Sequence, residues 1–246
     1  MVYAAVLPGL AVLLLWIVHV LDVGLSLELN RYGVLPRVAH GLVGVLAAPL
    51  LHGDLEHLIG NSVPVFVLGW SLMYFFPDIS GRVVGIAWLF TGLGVWVSAR
   101  ANIHIGASGV VYALAAFLFT SGLLRRQRTQ MGLAMLVVFL YGSMFWGIFP
   151  IVPKVSWESH LWGGIAGVVL ALVFRNAPSA VKDPEPVLLD DDDSFDPEGI
   201  RPSGPPVIYR YEVAARGDGQ APPSSHDLDP GRTSGTWSAP TGTAPK

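Results

Sequence analysis

The sequence predicts an all-α, polytopic membrane protein: a bundle of six transmembrane helices followed by a disordered C-terminal tail. Three observations carry this expectation. Of 246 residues, 52% are hydrophobic and only 13% charged, with a mean hydropathy of +0.53, whereas a soluble domain carries about 25% charged residues. Apolar segments recur six times, each near the ~20 residues that cross a bilayer. The charge also changes sign along the chain. Residues 1–175 hold 9 Lys/Arg against 6 Asp/Glu and residues 176–246 hold 6 against 12, so a basic body carries an acidic tail. No cysteine is present, which excludes disulfides, thiolate catalysis and cysteine-ligated metal.

The first segment covers residues 2–21. It lacks a basic leader and a cleavage site, so it reads as a retained helix rather than a signal peptide. Residues 22–51 contain Asp22, Glu28, Arg31, Pro36, Arg37, His40 and Pro49. That stretch is too polar and broken to span, and reads as a re-entrant or interfacial loop covering something. The second segment, 55–76, opens with His52-Gly53-Asp54-Leu55-Glu56-His57 and reaches Asn61. The third is 82–97, and the fourth, 108–124, ends at Arg125-Arg126-Gln127-Arg128. The fifth, 131–149, is closed by Pro150 and Pro153. The sixth, 157–174, has Ser156 as its expected N-cap and Glu158 in its first turn, where negative charge suits the helix dipole. From residue 176 onward Pro, Ser, Gly and Asp dominate, including the acidic run 190–193. Such a segment cannot bury a core and is expected to be disordered. Within it, residues 207–213 alternate like a short strand and suggest a docking peptide for an unknown protein.

Six spans put both termini on one side, and the Arg125–Arg128 cluster places that side in the cytoplasm. The plasma membrane is the expected location. Segments two, four and six then run in the same direction, and each carries its unusual polar residues at its start: His57 and Asn61, Ser108, and His160. Polar groups at one depth on three helices face the bundle interior and mark a site. Ser108 stands at the first turn of its helix, where free N–H groups and the dipole favour a developing oxyanion. It lies within the small-residue cluster Gly106-Ala107-Ser108-Gly109. His160 is the expected general base. His57 and Asn61 share a helix face, four residues apart, and can donate to an oxyanion beside the Ser108 N–H. Gly163 and Gly167 let the sixth helix approach the fourth closely. Tyr112, one turn beyond Ser108, is placed to pack under the imidazole.

These residues together resemble the rhomboid intramembrane serine proteases in their six-helix bacterial form, over residues 1–175. The resemblance rests on Gly106-Ala107-Ser108-Gly109 with Tyr112, on His160 followed by Gly163 and Gly167, and on the His57 and Asn61 pair. It implies a Ser108–His160 dyad with no acidic third member, an oxyanion hole completed by His57 and Asn61, and a first external loop, 22–51, lying partly in the outer leaflet. It implies hydrolysis of a peptide bond in or beside a single-span substrate's transmembrane helix through an acyl-enzyme, without cofactor or metal. The sequence departs from the family in one place: many members carry a Trp-Arg pair in that loop, whereas here it reads Gly33-Val34-Leu35-Pro36-Arg37.

His57 as an interhelical contact, Asn61 as a packing amide, His160 as a structural histidine and Tyr112 as ordinary core are the plainer alternatives. His52 is about 140° around a helix from His57 and is expected to brace the loop; His104 reads as a loop residue. Trp70, Trp88, Trp96, Trp146, Trp157 and Trp162 read mostly as interface and lipid-facing residues. A metalloprotein built on His52, His57, His104 and His160 lacks a His-Glu-x-x-His pair. A transporter would string polar residues along a path rather than gather them at one end. A catalytically inactive, client-binding relative would be expected to lack Ser108 or His160, and both are present. Expected partners are therefore membrane-protein substrates and the lipid bilayer, with no nucleic acid.

Overall fold

The computed structural model describes residues 2–152 and 155–181. The acidic run, the 207–213 stretch and nearly all of the expected tail lie outside the described residues. What is described is helical, with one isolated antiparallel bridge, Val34 to His104. The α-helices are α1 (Val2–Leu25), α2 (Val43–Ala47), α3 (Leu55–Phe75), α4 (Pro77–Ser98), α5 (Ser108–Arg125), α6 (Arg128–Tyr141) and α7 (Trp157–Val173). Five stretches among the described residues are long and apolar enough to cross a membrane, the last being α6 with its 3-10 extension, Arg128–Ile148. The helix α7 is apolar but has 17 residues, about 25 Å at 1.5 Å per residue, against a hydrocarbon core of about 30 Å. The chain is a multi-pass, all-helical membrane protein.

The ends of these helices follow their residues. Asp54 caps α3, its carboxylate accepting from the His57 N–H at 2.7 Å. Pro77 opens α4 with Asp78 in its first turn. The helix α5 stops where Arg126 turns left-handed, at φ 52°. The sixth expected segment differs from its expectation. Ser156 occupies the N-cap position of α7, yet its side chain makes no capping bond; the hydroxyl is engaged by His104 instead.

At the centre stands α5, more buried than any other span. It packs on α7, α6, α3 and α4, and Phe117 and Leu118 join Leu72, Phe76, Val83 and Leu170 in one core. The first helix lies at the margin against α3. The outward faces carry exposed Leu10, Leu13, Ile17, Phe139, Val168 and Leu172, as a lipid-facing surface requires.

Residues 22–51 pack beside α4 and against the connection that leads into α5. Residues 22–25 continue α1 beyond its expected end at 21, the rest form short 3-10 turns around α2, and α2 packs on α4. Trp88 and Trp96 donate from α4 to the carbonyls of Val45 and Val38, at 3.0 and 2.9 Å. Arg37 Nη1 donates to the Ala99 carbonyl at 2.7 Å. The loop, which has no tryptophan of its own, is thus held by two supplied from the neighbouring helix. Trp162 likewise uses its ring N–H within the protein, donating to Ser98 Oγ at 2.8 Å, and the rings of Trp88, Trp96 and Trp162 stay partly exposed. Trp70 and Trp146 do lie on the exposed surface. Past Arg175 the chain stays docked through residue 181. Arg125 donates to the carbonyls of Phe174 and Ala177, and Ala180 N–H donates to the Phe75 carbonyl at 3.0 Å.

Candidate active site

The α4–α5 connection delivers Ser108 to the first position of α5. Gly106 just before it adopts φ 106°, and a side chain there would run into the His57 imidazole. Glycine is required on both counts. Its N–H donates to the Ala48 carbonyl at 2.8 Å. Opposite, α7 comes so close that a side chain at Gly163 would strike the Gly109 carbonyl, and one at Gly167 the Ala113 carbonyl. A side chain at Gly109 would in turn meet Ser159 and Thr91. Small residues on both helices therefore set the separation of α5 and α7.

That separation lets His160 Nε2 reach Ser108 Oγ at 2.9 Å. The ring stacks on Tyr112, with centroids 4.0 Å apart and planes 6° from parallel. His160 Nδ1 lies 2.9 Å from the Gly147 carbonyl. A carbonyl only accepts, so Nδ1 carries the hydrogen and neutral Nε2 presents its lone pair to the serine hydroxyl. Tyr112 O–H donates to the Met144 carbonyl at 2.6 Å. Both carbonyls come from the 3-10 segment Gly142–Ile148, which follows α6. Neither was foreseen, because residues 131–149 read as one continuous helix. Gly142 and Gly147 were the only local hint that the helix would change pitch there.

On the other wall of the same cavity, of about 820 Å³, stand His57 and Asn61. Asn61 Nδ2 donates to the His57 carbonyl at 2.9 Å, which leaves the second amide hydrogen for another acceptor. Arg100 and His104 contribute to the cavity's rim. His104 is buried and uses both ring nitrogens, on Ser156 Oγ at 2.6 Å and on the Arg100 carbonyl at 3.1 Å. His52 stands behind His57: the two rings meet edge to face at 5.0 Å. Its Nε2 faces the Ala107 N–H at 3.5 Å, while its carbonyl lies 3.2 Å from His19 Nδ1 of α1.

Burial, with His57 beside it, pushes the His52 imidazole down to about 4. His52 is then neutral in the folded protein at pH values where the unfolded chain already binds a proton. Its contribution to stability is present above about pH 6.5 and is lost as the pH falls toward 4. In detergent the unfolding temperature of the wild type is expected to drop across that window more steeply than that of His52→Phe. Equal slopes would assign the acid sensitivity to other groups.

The architecture defines a class: a multi-pass helical membrane protein that brings a serine and a histidine into hydrogen-bond contact in a cavity among its helices. The chain belongs to the rhomboid family, whose profile, described as "Rhomboid domain", matches residues 39–177. Uncharacterized proteins of Mycobacterium bovis and Mycobacterium tuberculosis are each 36% identical over 169 residues, 65% of this chain and 70% of theirs. An uncharacterized protein of Mycobacterium leprae is 32% identical over 167 residues, 64% of this chain and 66% of its own.

Proposed function

We propose that this protein is an intramembrane serine endopeptidase, with Ser108 as nucleophile and His160 as its base. The observation that supports this best is the Ser108–His160 hydrogen bond, made by a histidine whose other nitrogen is turned to a carbonyl. In this reading α7 is a sixth span, somewhat shorter than the others, both termini are cytoplasmic, and the cavity opens toward the outside of the plasma membrane. The substrates are single-span membrane proteins with helix-destabilising residues near the outer end of the helix. The acidic tail is dispensable for turnover and docks a partner.

The chemistry follows from the atoms in place. Ser108 Oγ attacks the scissile carbonyl carbon as its proton passes to His160 Nε2. The oxyanion is met by the Ser108 N–H at the start of α5, by the His57 imidazole and by the remaining Asn61 amide hydrogen. His160, now cationic, is steadied by the Gly147 carbonyl and the face of Tyr112. It returns the proton to the leaving amine, the C–N bond breaks, and an ester to Ser108 remains. Water then attacks that ester, losing its proton to His160, and Ser108 leaves with the proton restored. All groups required come from the chain itself.

Asn61→Ala is expected to lose activity by about 10²-fold or less, because the Ser108 N–H and His57 still serve the oxyanion. A loss equal to that of a dyad variant, in folded protein, would move Asn61 into a different role. The function itself is tested by reconstituting the protein into liposomes with single-span model substrates and mapping the products by mass spectrometry. Cleavage near the outer end of the substrate helix by the wild type is the expected result. Stable co-purification with uncleaved substrates would point instead to a client-binding protein.

A further inference from the structure

Before each member of the serine–histidine pair, four residues upstream in both cases, stands one half of a hydrogen bond. His104 precedes Ser108 and Ser156 precedes His160, and His104 Nδ1 lies 2.6 Å from Ser156 Oγ. His104 Nε2 donates to the Arg100 carbonyl, so Nδ1 must accept and the Ser156 hydroxyl donates. A second tie runs alongside. Arg100 Nε pairs with Glu158 Oε1 at 3.4 Å, the Arg100 N–H reaches the same oxygen at 3.3 Å, and Arg100 Nη2 donates to the Val155 carbonyl at 2.6 Å. Glu158 and His104 are both buried, with 5% and 4% of their surface exposed, where truncating one partner leaves the other unpaired. His104 is anchored from behind as well, by reciprocal 2.9 Å backbone bonds to Val34.

We propose that His104 and Ser156, with Arg100 and Glu158, form a clasp that sets the reach of His160 to Ser108, and that all four are positioning residues. The inference rests on the reading of Ser108 and His160 as the reacting pair. The physical case is one of distance. Glycines bring α5 and α7 together, and a groove of small residues resists approach more than it resists sliding. The clasp adds an axial restraint at the Ser108 end, beside the Trp162–Ser98 bond that ties α7 to α4. It joins the loop entering α5 to the start of α7, so a shift of α7 must first break a short, partly buried hydrogen bond and an ion pair. A displacement of about 1 Å in a reacting geometry costs about 10²-fold.

The test is the rate at which a tagged fluorophosphonate labels Ser108 in detergent, compared among wild type, Ser156→Ala, Ser156→Thr and Glu158→Gln. The expected result is a fall of about 10-fold to 10²-fold in the limiting labelling rate of Ser156→Ala, with the half-saturating probe concentration unchanged. Ser156→Thr keeps the hydroxyl and restores the rate, and Glu158→Gln, which keeps shape and loses charge, falls between. The labelled end point counts folded molecules, so a merely structural role would lower the end point and leave the rate of the labelled fraction alone. Either that pattern, or Ser156→Ala labelling at the wild-type rate, overturns the clasp while leaving the pair intact. A folded wild type that takes no label overturns the reading of the pair, and the clasp with it.

Discussion

Ser108→Ala is expected to abolish cleavage of a reconstituted single-span substrate, by at least about 10⁴-fold, while the protein remains folded. The side chain removed is small and sits at the start of a helix whose core contacts, through Phe117 and Leu118, lie farther along. Its loss therefore leaves the packing in place and removes the attacking atom. His160→Ala is expected to give a loss of the same order, since without Nε2 the hydroxyl has no acceptor for its proton. The double variant is no worse than either single one, because the two groups act as a unit and such effects do not add. The check is product formation by mass spectrometry, with thermal unfolding as the control for folding. Retained cleavage in either single variant would sink the proposed dyad.

Gly163→Val costs the fold itself. A Cβ at Gly163 would press on the Gly109 backbone carbonyl and lie 3.2 Å from Tyr112 Cβ. Neither is the far end of a flexible side chain, so α7 would have to move away from α5 along their whole seam. Overpacking of this kind costs roughly 1–3 kcal/mol when side chains can yield, and more when backbone cannot. The expected outcome is a loss of folded, monodisperse protein in detergent, or a markedly lower unfolding temperature. The adjacent Gly164→Val is the control, because nothing lies within 4 Å of a Cβ there. Were Gly164→Val as damaging as Gly163→Val, the cause would be the valine in the helix rather than the contact with α5.

The pairing of these two glycines also shows what a linear pattern conveys. Gly163, Gly164 and Gly167 are equally glycine in the sequence, and only the four-residue spacing separates the two that face α5 from the one that does not. That spacing was readable because a helix repeats every 3.6 residues. The same periodicity made His57 and Asn61 neighbours on one face, and put Tyr112 one turn above Ser108. Residues 22–51 were legible only as a break in the hydropathy. Their position beside α4 depends on Trp88 and Trp96, which reach them from more than forty residues away.

What the sequence by itself determined is the membrane class, the existence of the apolar segments and the place of the polar residues near the starts of their helices. These depend on composition and on position along a chain rising 1.5 Å per residue. Only the tertiary structure decided which groups complete the site. The Met144 and Gly147 carbonyls belong to every residue alike and become partners of Tyr112 and His160 only because the backbone tightens into a 3-10 turn after Tyr141. Ser156 was expected to cap its own helix and instead binds His104, fifty-two residues away. A local pattern cannot choose between a hydroxyl's near and distant partners, because the difference lies in where two separate segments meet.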